Sequence, residues 1–161
     1  MDIVVCIKRV PSSDCTIKIA ADGKSIDSAG LKYELNPYDE FAIEQALLIK
    51  EQLGAGTVTV VTVGSKDAQK ELRDALARAA DKAVLLTTEE WVCDGTNAAA
   101  ALASWIKSQP CDLVLCGRQA SDDDQGVVPA LIGEALSMPV VTFARAVESA
   151  GDSLKVTRVT P

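Results

Sequence analysis

The sequence predicts an α/β protein of three layers, α/β/α, with a five-stranded, mostly parallel sheet between two helical layers. Three observations predict it. Short β-branched or apolar runs alternate with helical patterns along the chain, as βαβ units require. The run Ile3 to Ile7 is continuously apolar, which suits a strand buried on both faces. Gly or Pro closes three of the helical patterns, at Gly54, Pro110 and Pro139.

Taken in order, the first strand ends at Lys8, Arg9 and Pro11. Residues 12–35 are polar, with Gly23 and Gly30 as breakers. Thr16 to Ile19 alternates, as in a half-exposed hairpin or flap. Asn36-Pro37 opens a helix, because Asn is a good N-cap and Pro suits the first helical position. Asp39 and Glu40 fall in its first turn, where acids complement the helix dipole. Phe41, Ala42, Ala46, Ile49 and Leu53 follow at helical spacing. Thr57 to Val63 is a second strand, and Gly64-Ser65 turns it into a helix with Ala68, Leu72, Ala75, Leu76 and Ala79 as its stripe.

Ala83 to Leu86 reads as the third strand, followed by a loop over residues 87–94 anchored by Trp91. The third helix spans Gly95 to Ser108, with Leu102, Trp105 and Ile106 inward. Leu113 to Cys116 is the fourth strand. A fourth helix carries Val128, Leu131, Ile132, Ala135 and Leu136. Val140 to Phe143 reads as a fifth strand. Segments 146–148 and 154–159 flank a Gly151-Asp152 hairpin turn.

The 161 residues, 48% of them hydrophobic, suffice for one domain over 1–161 with a real core. Because Thr160-Pro161 cuts off just after the strand at 154–159, the chain is expected to be a fragment. The net charge is −7 and no basic stripe exists, which argues against nucleic acid or an anionic membrane as partner. No apolar run approaches the roughly eighteen residues of a membrane span, so no membrane insertion is expected. The N-terminus reads as a strand, not a signal peptide. Five cysteines, an odd count without a C-x-x-C pair, predict reduced thiols and a cytoplasmic setting. Histidine is absent, which removes His-dependent nucleophile arrangements and His-based zinc sites.

The stretch from Leu113 to Pro129 is the best candidate site. It gives a strand, a polar loop and a helix start, and ligands of open α/β sheets bind at such strand ends. Free N–H groups at a helix start hold anions. An ordinary βα loop with solvated acids explains the same spacing. Asp122, Asp123 and Asp124 suit Mg²⁺ or a ribose hydroxyl, and equally just complement the helix dipole. Arg118 suits a phosphate, or one of these acids. Asn36 to Asp39 is explained by capping alone, yet lies at a strand's carboxyl edge. Gly64 permits close backbone approach. Neither G-x-G-x-x-G nor a P-loop is present. With no nucleophile–base pair in sight, these loops read as a binding site without bond-breaking chemistry.

Together these segments resemble the beta subunit of electron transfer flavoproteins. The pieces are Val4 to Pro11, Asn36 to Glu40 with Ala42 and Glu44 to Leu47, Val60 to Gly64, Leu72 to Ala83, and Asp112 to Asp124, in the family's order and spacing. The resemblance implies a Rossmann-like fold of the adenine-nucleotide α-hydrolase type. It also implies a heterodimer with an alpha subunit that mainly holds FAD, carrying electrons from flavin dehydrogenases to a quinone reductase or other acceptor. The beta site would hold AMP or a second FAD.

Carried over, the nucleotide positions are Cys6; Asn36, Pro37, Tyr38 and Asp39; Val63 and Gly64; and the loop Gly117, Arg118, Gln119, Ala120, Ser121, Asp122, Asp123, Asp124, Gln125, Gly126, Val127 and Val128. No catalytic residue is implied. Gln125 to Val128 stand where the family often has polar side chains reaching the phosphate. The competing reading is a stand-alone adenine-nucleotide-binding protein or adenylating enzyme of the same fold. The glycines that an adenylating enzyme needs after its first strand are missing from Pro11 to Asp14.

Overall fold

The computed structural model describes residues 1–88, 94–150 and 153–159. Its central sheet has the order β5-β4-β1-β6, formed by β1 (Asp2–Cys6), β4 (Thr57–Gly64), β5 (Lys82–Thr87) and β6 (Leu113–Cys116). All neighbours are parallel, with Val5 opposite Val60 on one side and Leu115 on the other. The apolar run at the N-terminus thus takes an interior place in the sheet, covered on both faces.

Helices α1 (Pro37–Leu53) and α2 (Gln69–Ala77) cover one face through Ile43, Ala46, Ile49, Leu72 and Ala75. Helices α3 (Gly95–Ile106) and α4 (Val128–Leu136) cover the other through Ala99, Leu102, Ile106 and Ile132. Each large aliphatic side chain so buried contributes about 1.5–3 kcal/mol. The expected three layers are therefore present. A short antiparallel pair, β2 (Arg9–Pro11) with β3 (Tyr33–Leu35), closes the base of the 12–32 flap, within which Ile19 bridges Ile26. The hairpin of β7 (Ala144–Ala150) and β8 (Ser153–Arg158) adds Val147, Leu154 and Val156 to the α1 side, where Gln45 Nε2 donates to the Val147 carbonyl.

The amino edge of the sheet is pinned by acids. Asp81 accepts the Val58 N–H at 2.7 Å and Lys50 Nζ at 2.6 Å, and these hydrogen bonds hold its carboxyl below the ordinary range. Asp112 accepts the Asp2 N–H at 2.7 Å.

Three expectations need correction. The fifth strand over Val140 to Phe143 does not form, and the sheet has four strands among the described residues. The segment is drawn to other partners. Val140 packs against Gly133 of α4, where an added Cβ would collide with it. Arg158 donates to the Thr142 carbonyl and hydroxyl at 2.8 and 3.0 Å. Phe143, at φ +56°, leaves the extended region, and its carbonyl accepts from Val159.

Secondly, Phe41 and Leu53 lie on the outer side of α1, Phe41 74% exposed, while Ile43 and Asp39 are buried. In α2 the buried set is Glu71, Leu72 and Ala75, preceded by Ala68; Leu76 and Ala79 face out. Thirdly, the third helix stops at Ile106 rather than Ser108, whose hydroxyl donates to the Trp105 carbonyl. Trp91 and the Gly151-Asp152 turn lie outside the described residues.

Candidate functional site

Because every strand of the central sheet runs the same way, its carboxyl ends open on one edge. Three chain segments meet there: Ile7 to Arg9 after β1, the start of α1, and the loop from Gly117 to Val127 after β6. Val63 and Gly64 end β4 beside them, two and three residues past the Val61 that pairs with Cys6. The carried-over positions therefore do gather along one edge.

What joins these segments is not what capping predicts. Asn36 is the N-cap residue of α1, but its side chain makes no cap bond. It is 1% exposed and reaches across to the loop after β6. Its Nδ2 donates to the Gln119 carbonyl at 2.9 Å, and its Oδ1 accepts the Ser121 N–H at 3.2 Å. Its own N–H donates to the Lys8 carbonyl at 2.9 Å. One residue thus ties both strand ends, its backbone to the segment after β1 and its side-chain amide to the loop after β6, and a buried amide must be satisfied in this way to avoid a desolvation cost.

Asp39 does the same with a carboxylate. It is 5% exposed and accepts the Lys8 N–H at 2.7 Å and the Gly117 N–H at 3.1 Å. Burial pushes its carboxyl up to about 7, against the pull of the Lys8 N–H, Asn36, the Gly117 N–H and the Lys8 charge. Gly117 is required at that contact, because a Cβ would run into the Asp39 carboxylate and the Tyr38 backbone. Pro37 is the exposed first residue of α1, and Tyr38 is half-buried beside Gly117.

The acidic triplet divides its carboxylates. Asp122 and Asp123 hold Lys8 Nζ at 2.7 and 3.0 Å, and Asp124 accepts Gln119 Nε2 at 2.6 Å. Among the described residues no group of three acidic, Cys or His side chains is placed to hold a metal ion. Arg118 pairs with none of these acids. It is exposed and stacks on the Phe143 ring at 4.8 Å; among the described residues its guanidinium makes no hydrogen bond or ion pair, so its donors can take another anion. Cys6 is buried, and its thiol is raised well above the ordinary value by a hydrogen bond with Cys116, then by burial. It offers shape and backbone, not a thiolate.

The loop ends on α4 without a side-chain cap, since Val127 stands at the N-cap. The N–H groups of Gly126, Val127 and Val128 make no hydrogen bond among the described residues. Asp124 and Gly126 are in the left-handed region, at φ +53° and +63°, and Ala120 is half-buried at the loop's base, accepting the Asp124 N–H. Unpaired N–H groups at a helix start form a site for an anion. The residues therefore fit a phosphate through backbone donors, while Gly126 to Val128 offer no polar side chain.

Lys8 is not among the predicted site residues, though it faces both Asp39 and the acidic triplet; as one of two adjacent cations ending the first strand, it reads as a strand boundary and not as a site. Glu71 was missed as well, because a charged residue inside a helical stripe reads as a break in the pattern.

The chain matches the electron transfer flavoprotein domain family over residues 24–161. It belongs to the electron transfer flavoprotein family. The beta subunit of Thermoanaerobacterium thermosaccharolyticum is 42% identical over 159 residues, covering 98% of this chain and 60% of that protein. The beta subunit of Bacillus subtilis is 38% identical over 160 residues, covering 98% of this chain and 61% of that protein. A further relative, the acryloyl-CoA reductase electron transfer subunit gamma of Anaerotignum propionicum, is 35% identical over 165 residues, covering 99% of this chain and 60% of its own length. The chain thus spans about three fifths of the flavoprotein subunits it matches. Among the described residues, no helix is long and apolar enough to cross a membrane.

Proposed function

We propose that the chain serves as the beta subunit of a heterodimeric electron transfer flavoprotein in the cytoplasm, passing electrons from flavin dehydrogenases to a quinone reductase or another acceptor. FAD, held mainly by the alpha subunit, supplies the redox chemistry. The crevice of this chain holds AMP or a second FAD. The observation that carries the reading is the row of unpaired N–H groups at Gly126, Val127 and Val128, set where α4 begins above the carboxyl end of β6. These groups would hold the phosphate. Arg118 would add charge from the side, and Val63 with Gly64 would form the wall beneath the base. Asn36 and Asp39 fix the loop without spending a donor on the ligand.

The test is to co-express the full-length subunit that carries this sequence with the alpha subunit, purify the complex, release its ligands with acid and count them. One FAD and one AMP per heterodimer would support a carrier with a structural nucleotide. Two FAD would support a working flavin in this crevice. One FAD with no AMP would overturn the nucleotide reading, and no complex at all would overturn the subunit reading.

A further inference from the structure

We propose that Asp39 is a proton-operated tie across the crevice: ionised, its carboxylate fastens the ends of β1 and β6 to the first turn of α1, and taking up a proton at Oδ1 releases the Gly117 N–H at the end of β6. The inference goes beyond the nucleotide reading and holds whichever ligand the crevice takes.

The geometry is that of a two-handed acceptor. Oδ2 takes the Lys8 N–H at 2.7 Å and Oδ1 takes the Gly117 N–H at 3.1 Å. A carboxylate fills both roles with negative charge, and hydrogen bonds to a charged acceptor are the strong kind. A carboxylic acid does not: the oxygen carrying the proton becomes a donor and a poor acceptor. The longer contact yields first, so the proton goes to Oδ1. Gly117 then keeps a buried N–H without a partner, a situation that costs enough to move the chain.

The groups facing Asp39 set where this happens. From the β1 side come Lys8, whose Nζ is held by Asp122 and Asp123, and Cys6, whose thiol stays protonated. From the β6 side comes Gly117, which carries no charge, and Arg118 beyond it is turned to Phe143. On α1 itself, Asn36 is a neutral amide and Glu40 is paired with Arg78 at 2.8 Å. Against nearly complete burial stand the hydrogen bonds from the Lys8 N–H, Asn36 and the Gly117 N–H and, least of these, the partly neutralised Lys8 charge. Burial prevails and brings the carboxyl up to about 7, within reach of ordinary solution conditions.

The experiment is an NMR titration of the ¹³C,¹⁵N-labelled chain from about pH 5 to about pH 9, a range that brackets this group and excludes ordinary carboxylates. The Asp39 carboxyl carbon and the Gly117 amide proton should move together with one midpoint. Below it, the protection of the Gly117 amide, taken against its intrinsic exchange rate at each pH, should fall about fivefold or more, the loss expected of one hydrogen bond. The Ser121 amide, bound to Asn36 rather than to Asp39, should show no such midpoint. In Asp39→Asn the Gly117 transition should vanish. A Gly117 amide that stays flat while the Asp39 carboxyl titrates would overturn the proposal, as would a Gly117 midpoint that survives Asp39→Asn. If that variant does not fold, the two wild-type curves decide alone.

Discussion

Asn36 and Ser121 are 85 positions apart in the chain, yet the Asn36 Oδ1 accepts the Ser121 N–H at 3.2 Å. With the Nδ2 bond to the Gln119 carbonyl, this side chain makes the α1 start and the loop after β6 one piece. Asn36→Ala should therefore do more than remove a cap. It strands a donor and an acceptor at the loop base, which costs about 2–4 kcal/mol. Asn36→Asp should recover only part of this, because a carboxylate accepts from Ser121 but has nothing to donate to Gln119. Urea denaturation of the three proteins would show the order. Equal stability of wild type and Asn36→Ala would contradict the assignment.

Two glycines at the strand ends on either side of β1 should respond in opposite ways. At Gly117 an added methyl has no space, so Gly117→Ala should cost at least about 2 kcal/mol, the range of overpacked positions. At Gly64 the nearest atom to an added Cβ is Ala68 Cβ at 3.7 Å, an ordinary contact. Gly64→Ala should leave stability within about 0.5 kcal/mol. If the crevice takes a nucleotide over this strand end, the same change should weaken AMP binding as measured by calorimetry. Unchanged binding in Gly64→Ala would move the ligand away from β4.

The fold was legible in the sequence where a local pattern and the tertiary context agreed. Ile3 to Ile7, Thr57 to Val63 and Leu113 to Cys116 became strands within a residue or so of expectation, because β-branched runs between breakers have few other uses. Val140 to Phe143 has the same character and failed. Nothing local reveals that Arg158 and Gly133 compete for it. The site was legible as places but not as roles. Asn36 and Asp39 are good residues for a helix start, and capping explained them fully at short range. Their true partners lie about thirty and about eighty residues away, beyond any periodicity. Asp122 to Asp124 likewise could not be apportioned to Lys8 and Gln119 from spacing alone.

Asp39 also gives stability a pH dependence opposite in sign to that of most acids. Its carboxyl ionises at about 7 in the fold and near the ordinary 3.8 when unfolded. Between these values the folded chain holds the extra proton. The stability due to this group is complete below about pH 4 and is lost as the pH rises through 7, by about 1.4 kcal/mol per pH unit at most. Asp81, held below the ordinary range by Lys50 and Val58, acts the other way: its contribution is present above the ordinary value and lost as the pH falls. Asp39→Asn should flatten the slope between about pH 4 and pH 7 and leave the acid limb intact. Urea midpoints measured across that range would show it, and a parallel pair of curves would refute it.

The last prediction concerns Arg9 and Glu71, which fasten the flap to α2. Glu71 is 1% exposed, and Arg9 Nε stands 3.4 Å from its Oε2 with the guanidinium centred 3.7 Å over the Tyr33 ring. Neither carboxylate oxygen nor the Nε makes a hydrogen bond. The pair is thus held by charge and stacking alone, in a place where desolvation is costly. The two single deletions should then differ. Arg9→Met leaves a buried carboxylate with no cation and should cost about 3–5 kcal/mol. Glu71→Leu leaves Arg9 on Tyr33 with its side chain 26% exposed, so the cation can turn to water. That change should cost less, about 1–2 kcal/mol. Replacing both, Arg9→Met with Glu71→Leu, removes two desolvated charges together and should return to within about 1 kcal/mol of wild type. The coupling between the two positions, read from a double-mutant cycle in urea, should therefore be large and favourable to the pair. Additive costs would mean that the two side chains do not sense each other across the 3.4 Å gap, and that the flap is held by its β2–β3 backbone bonds instead.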